Sequence, residues 1–369
     1  MHINLFLIPF VIVLGLLLGT NDNKRNRLLY ILSSSVVLVF VAAMRSPEYM
    51  SYMYGIDTLN YQSFFEQSFD MGWDEFWGAV QARYVGLNDE ADVGFLGLNK
   101  LISYLTHDFH IYSIYADLIF FVPFGVLLYR YCTSMKQIIF AFVFYVALIQ
   151  VFFFGGARQI FAMGFDLMAL LSILRNKRIR SLLLLLVGVT IHFSSFLFLI
   201  PLLMIWYDAN PRVLKVMHIS FFILFPIVLM MPNTIISFMG NMVGSERYAE
   251  YGSRAVRGGA TTFIVLVEMM SLFCLVAIKV RDMSESKKLK DFYIMAPLFT
   301  VLAPLIHSNG TMIRISLYFH LFLTLLIPFA IDCMFKTANR RIVYFLAIGL
   351  LSFFALADGG TLYYFYWQK

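Results

Sequence analysis

Residues 178–206 read RIRSLLLLLVGVTIHFSSFLFLIPLLMIW, and the placing of this stretch decides the fold. About 20 apolar residues suffice to cross the hydrocarbon of a bilayer, and this run has them. Its middle, however, carries Thr190, His192, Ser194 and Ser195. Read as one ordinary crossing, it would put the Lys-rich segment 279–290 on the outer side, against the tendency of Lys and Arg to stay in the cytoplasm. Polar side chains at its middle can satisfy the free backbone groups of a broken helix where protein or water covers them. The stretch is therefore expected to enter from the cytoplasm, break near His192 and return.

The rest of the chain has the same solvent. Over 369 residues it is 60% apolar, 17% aromatic and only 14% charged, with a mean hydropathy of +0.78 spread along its whole length. That balance excludes a soluble enzyme with a single anchor and a disordered protein. The first apolar run, Ile3 to Gly19, has no basic flank and no small-residue cleavage site, so it is expected to be a crossing and not a cleaved leader. Cys132, Cys274 and Cys333 are odd in number and show no metal or disulfide spacing. The net charge of +6 serves topology here and implies no nucleic-acid partner.

Ten crossings are expected, at about 3–19, 28–44, 111–129, 138–154, 158–174, 213–231, 262–279, 291–306, 314–333 and 342–357. Most of the 28 Lys and Arg fall in the segments that would then face the cytoplasm, including Arg175, Lys177, Arg178 and Arg180. Both termini would lie outside, and the apolar stretch 93–106, interrupted by Asn99 and Lys100, would stay on the outer side. The fold class is all-α, one polytopic membrane domain over 1–369 with about ten transmembrane helices, re-entrant or interfacial segments, and extracytoplasmic loops at 45–92 and 232–260.

The first loop carries nine acidic residues among many aromatics, as an interfacial segment would. Within it, Gly55-Ile56-Asp57-Thr58 followed by Tyr61 and Phe65 reads as a turn entering an amphipathic helix. Asp57 either caps that helix or serves as a general base on a sugar hydroxyl. Glu90 and Asp92 are either solvated loop charges or a divalent-metal site, for which clustering on one side is weak support. Arg158 opens a helix at the outer end of a crossing, and Arg314 repeats the arrangement. Arginine forks onto phosphate oxygens and gains in dry surroundings, so these two suit a pyrophosphate; the bland alternative is snorkelling to headgroups or pairing with a carboxylate. Arg45, Arg247, Arg254 and Arg257 are expected on the same outer face. His192 is either a hydrogen-bonded structural histidine or a base. The buried acids Asp117, Asp166, Glu268 and Asp332 would suit an ion relay, but show no pattern. No Walker, nucleophile-elbow, zinc-protease or dinucleotide fingerprint occurs, and no cofactor is expected.

The order of these residues resembles the EpsG family of Wzy-like polysaccharide polymerases. The carriers are Arg45, Gly55-x-Asp57-Thr58-x-x-Tyr61-x-x-x-Phe65, an acid before Gly94-Phe95, Leu98-Asn99, Phe154-x-x-x-Arg158-Gln159-x-x-Ala162 and His192-Phe193-Ser194-Ser195. Weaker similarity continues at Arg247-Tyr248-x-x-Tyr251 and Arg314-x-x-x-Tyr318. One departure is the segment Glu90-Ala91-Asp92-Val93, where a Glu followed by a small residue or Pro would be expected directly before the glycine. The resemblance implies a GT-C-like membrane glycosyltransferase of the bacterial cytoplasmic membrane. It would polymerise undecaprenyl-pyrophosphate-linked oligosaccharide repeats on the extracytoplasmic side, building O-antigen, capsule or exopolysaccharide. A chain-length regulator and a flippase of the same pathway would be its partners, alongside membrane lipid. Asp57 and His192 would be catalytic; Arg45, Tyr61, Glu90, Asp92, Arg158, Arg247, Arg254, Arg257, Arg314 and Tyr318 would bind substrate. Two rival classes are a polysaccharide O-acyltransferase, which would use His192 without the outer arginines, and a lipid-linked glycan flippase or transporter, which would use the buried acids.

Overall fold

Apolar side chains dominate each stretch read as a crossing, and in lipid an apolar segment must satisfy its backbone internally, which makes helix the available solution. The computed structural model describes residues 2–48, 57–84, 92–243, 261–280, 287–307, 312–357 and 363–368. Among the described residues the protein is all-helical with no strand; one isolated bridge joins Arg45 to Phe365.

The elements, in chain order, are α1 (Asn4–Gly19), α2 (Lys24–Ala43), α3 (Thr58–Asp70), α4 (Trp73–Tyr84), α5 (Val93–Ser103), α6 (Phe109–Tyr131), α7 (Met135–Leu148), α8 (Gln150–Phe154) and α9 (Ala157–Ile173). There follow α10 (Arg178–Ile191), a 3-10 turn (Phe193–Phe198), α11 (Leu199–Trp206), α12 (Pro211–Met230), α13 (Pro232–Val243) and α14 (Thr261–Val280). The last are α15 (Lys287–Tyr293), α16 (Met295–Leu302), a 3-10 turn (Ala303–His307), α17 (Ile313–His320), α18 (Leu323–Met334) and α19 (Thr337–Ala357).

Among the described residues α2, α6, α12 and α19 are long and apolar enough to cross a bilayer unaided, and α17 with α18 makes a fifth if the bent pair counts as one. Three expected crossings are not single helices. The segment 138–154 breaks at Ile149, between α7 and α8. The segment 291–306 is divided into α15, α16 and a 3-10 turn that holds Pro304, a residue with no N–H to continue a helix. The segment 314–333 bends by 45° between α17 and α18. The stretch 178–206 is also broken, as its polar middle implied: α10 ends at Ile191, His192 is extended at φ −152°, and the chain resumes as a 3-10 turn before α11.

The chain divides into two compact units, residues 1–202 with 346–369, and residues 203–345. In the first, α9 packs along both α6 and α10, α2 lies on α6, and α1 lies on α7. The loop expected to hold amphipathic helices does so. Thr58, Tyr61, Phe65 and Ser68, spaced by three and four, form the buried face of α3. Of these, Tyr61 and Phe65 join Phe95, Phe109, Tyr112 and Phe161 in an aromatic core. On α4, Trp73 and Trp77 are exposed, as residues of a membrane interface would be. In the second unit, His218 of α12 bonds the Tyr293 hydroxyl at 2.6 Å through Nδ1 and Ser271 of α14 at 2.9 Å through Nε2. Ser271 in turn meets Thr300 of α16 at 2.7 Å, so this polar chain fastens three apolar helices.

Candidate functional site

Three helix starts and one helix break come together in the first unit. Asp92 is the N-cap residue of α5, yet its side chain makes no capping bond. Its Oδ2 instead lies 3.5 Å from a terminal guanidinium nitrogen of Arg158, in the first turn of α9, and 3.6 Å from Nδ1 of His192, at the break after α10. These side chains are 16%, 17% and 15% exposed, so the charges are largely dry but open to a ligand. The Arg158 guanidinium also sits over two aromatic faces, 5.7 Å from the Tyr61 ring and 5.8 Å from the Phe95 ring. Thr58 at the start of α3 donates to the Phe154 carbonyl at 3.0 Å, which ties that helix to the turn just before Arg158.

Local sequence explains why the cluster can form. Gly94 lets α5 lie directly on the end of α10: a Cβ there would be 2.6 Å from the Thr190 carbonyl carbon. Behind His192, the break is held by a buried clasp in which the Ser195 hydroxyl donates to Asp166 of α9 at 2.5 Å. Gly188 makes room for the clasp, since a Cβ there would lie 2.7 Å from the Ser195 hydroxyl and 2.9 Å from the Asp166 carboxylate. Tyr112 of α6 adds a buried hydrogen bond to Asn99 of α5 at 2.8 Å, steadying the helix that presents Asp92.

Of the residues expected to act, Asp92, Arg158, His192 and Tyr61 are brought together. Asp57 is half-buried at the N-cap position of α3, one residue from the Thr58 tether, and its side chain makes no capping bond. Arg45 takes a different place from the one expected. It is 4% exposed, donates to the Ala42 carbonyl and faces Asp117, because the chain from Tyr363 to Tyr366 covers it through bonds of Ser46 to Tyr364 and of Tyr366 to Met44. Arg314, half-buried in the first turn of α17, and Tyr318, fully buried one turn later, belong to the second unit. Glu90, Arg247, Arg254 and Arg257 lie outside the described residues.

The four acids do not share one pattern. Asp117 faces Arg45, Asp166 holds Ser195, Glu268 is buried with neither carboxylate oxygen hydrogen-bonded to a described residue, and Asp332 is half-buried, 3.9 Å from Arg340. Among the described residues no group of His, Cys, Asp and Glu could hold a metal ion. The sequence reading missed the Asp166 clasp and the Tyr112 bond to Asn99. The first was signalled by a serine and a glycine seven residues apart around His192 with an intramembrane acid on the preceding helix; the second had no local signal.

An arginine, a carboxylate and a histidine at one dry edge can hold an anion, orient an imidazole and accept a proton. Neither a curated protein nor a solved structure matches the chain. The profile of the EpsG family matches residues 28–359, from within α2 to past the end of α19, and includes every residue of this cluster. The chain is therefore a member of the EpsG family.

Proposed function

We propose that this protein polymerises undecaprenyl-pyrophosphate-linked oligosaccharide repeats on the outer face of the cytoplasmic membrane. Membership of the EpsG family supports a polysaccharide-polymerase-like role in a membrane. The observation that carries the finer reading is one carboxylate, Asp92, shared between Arg158 and His192. A hydroxyl of the terminal sugar on one lipid-linked repeat attacks the anomeric carbon of the lipid-linked growing chain. The new glycosidic C–O bond forms as the bond from that carbon to the pyrophosphate breaks, and undecaprenyl pyrophosphate leaves with the electron pair.

Each side chain has a place in this scheme. Arg158 neutralises the departing pyrophosphate, whose charge grows as the bond breaks, so its contacts strengthen in the transition state. His192, held through Nδ1 by Asp92, takes the hydroxyl proton at Nε2, as a histidine oriented by a carboxylate does. The gap of 3.6 Å between them is of the kind that tightens when substrate binds. Tyr61 and Phe95 give sugars an aromatic floor. Asp57 is the alternative base. The helix count in this reading stays at ten, with shorter and broken helices completing crossings inside the protein, 181–206 re-entrant, both termini outside, and a GT-C-like architecture.

The test is complementation of a strain lacking the gene, followed by analysis of lipid-linked glycans. His192→Ala is expected to leave single repeats and abolish long chains, whereas Asp57→Asn retains them. Long chains in the His192 variant together with their loss in the Asp57 variant would move the base to Asp57. Normal chain length in the deletion strain itself overturns the polymerase reading, and such polymer lacking acyl groups would indicate the acyltransferase; loss of polymer with the repeats stranded inside would overturn it as well and indicate the flippase.

A further inference from the structure

Below the level of the Arg158 cluster, the middle of α6 and the C-terminal half of α9 part to leave a groove of about 440 Å³, within the size range of ligand pockets. Its walls are apolar, with Leu118 and Val122 from α6 and Met168 and Leu171 from α9. Its far end is different: Arg175, Lys177 and Arg180 close it, all three exposed. None of the three forms an ion pair with a described residue. Their placement is built into the chain turn. Lys177 N–H donates back to the Ser172 carbonyl at 2.9 Å, and Asn176 adopts φ 60°, so the backbone reverses at the helix end and sets the basic residues around the groove mouth.

We infer that this groove binds an anionic phospholipid, with one acyl chain between α6 and α9 and the phosphate at Arg175, Lys177 and Arg180. Topology alone accounts for basic residues beside a helix end, since only their number on one side matters for orientation. It does not account for three of them lining one apolar groove. A basic pocket between transmembrane helices at the cytoplasmic side is the chemistry that captures an acidic head group, while the groove adds the hydrophobic term for a chain. The occupant is distinct from the polymerisation substrate, because the groove's charged end lies at the opposite end of α9 from Arg158. The site therefore stands whether or not the proposed reaction does.

The test uses the purified full-length protein in nanodiscs of phosphatidylcholine containing increasing phosphatidylglycerol, with the unfolding midpoint and native mass spectrometry as readouts. Phosphatidylglycerol is expected to raise the midpoint and remain bound, whereas phosphatidylcholine alone, inorganic phosphate and glycerol phosphate do neither. Combining Arg175→Gln, Lys177→Gln and Arg180→Gln should weaken phosphatidylglycerol binding on the order of a hundredfold, at about fivefold per charge. Arg180→Gln alone, a milder change, should weaken it about fivefold. Val122→Trp fills the groove without touching a charge and should also abolish retention, with the midpoint in phosphatidylcholine unchanged in every variant. Loss of binding in the charge variants but full retention in Val122→Trp would reduce the effect to surface attraction and overturn the site. Equal stabilisation by phosphatidylcholine, or by inorganic phosphate, would overturn it as well, and undecaprenyl phosphate displacing phosphatidylglycerol would overturn its assignment to a phospholipid.

Discussion

Asp92 serves two partners at once, and that is where single substitutions should speak most clearly. Asp92→Asn keeps the shape at the start of α5 but removes the charge that faces both Arg158 and His192. Hydrogen bonds to charged groups contribute about 1.5–3 kcal/mol, so polymer synthesis should fall on the order of tenfold to a hundredfold. Arg158→Lys retains a positive charge but loses the fork that meets two phosphate oxygens, and a loss of about tenfold or more is expected. Wild-type chain lengths from Arg158→Lys at equal expression would return Arg158 to simple pairing with Asp92. The clasp behind the site acts on stability first. Ser195→Ala strips the buried Asp166 of its donor and should cost about 1–3 kcal/mol, read as a lower unfolding midpoint in detergent. A midpoint equal to that of the native protein would mean that Asp166 is satisfied without Ser195.

Between elements, the decisive contact is the seat of α5 on the end of α10. Gly94→Ala must push the two helices apart, because its Cβ would come within 2.6 Å of the Thr190 carbonyl carbon, and overpacking of this kind costs about 1–3 kcal/mol. Asp92 lies two residues away on the same helix start, so activity should drop on the order of tenfold even where the protein still accumulates. Gly97→Ala is the control: its Cβ would meet only the Phe76 ring at 3.4 Å, and glycan length should be unchanged. Equal activity in the two variants would detach the site from this helix contact. The amphipathic helix α3 was legible because Tyr61 and Phe65 follow a turn at helical spacing, and the break at His192 because four polar residues interrupt an apolar run. The breaks at Ile149 and between α17 and α18 were not, since isoleucine and phenylalanine continue a hydrophobic pattern as readily as they end one.

For the whole molecule the open axis is sidedness, and the broken stretch supplies the experiment. Ile179 and Tyr207 flank it and are 76% and 77% exposed. In a protein freed of its three native cysteines, Ile179→Cys and Tyr207→Cys should react with a membrane-impermeant maleimide only after the cytoplasmic side is opened. Trp77→Cys on α4 should react in intact cells. Labelling of Ile179→Cys and Tyr207→Cys from opposite sides would make 181–206 a crossing and reverse the sidedness of one part of the chain.

By itself the sequence determined the apolar character, the helical class and the break at His192, because apolar length and polar interruption act locally and a bilayer leaves the backbone few alternatives. It also marked Arg158 and His192, since charged and titratable groups inside apolar surroundings are costly and stand out, whereas Asp92 was one acid among several in a loop. Only the tertiary structure decided how those groups are used. That Asp92 joins Arg158 to His192, that Asp166 braces the break, and that Arg45 turns inward to Asp117 under the Tyr363 to Tyr366 segment are contacts between residues far apart in the chain. Spacing along one helix carries no record of which neighbouring helix will supply a partner, and a charge meant for a ligand reads the same in sequence as one neutralised within the core.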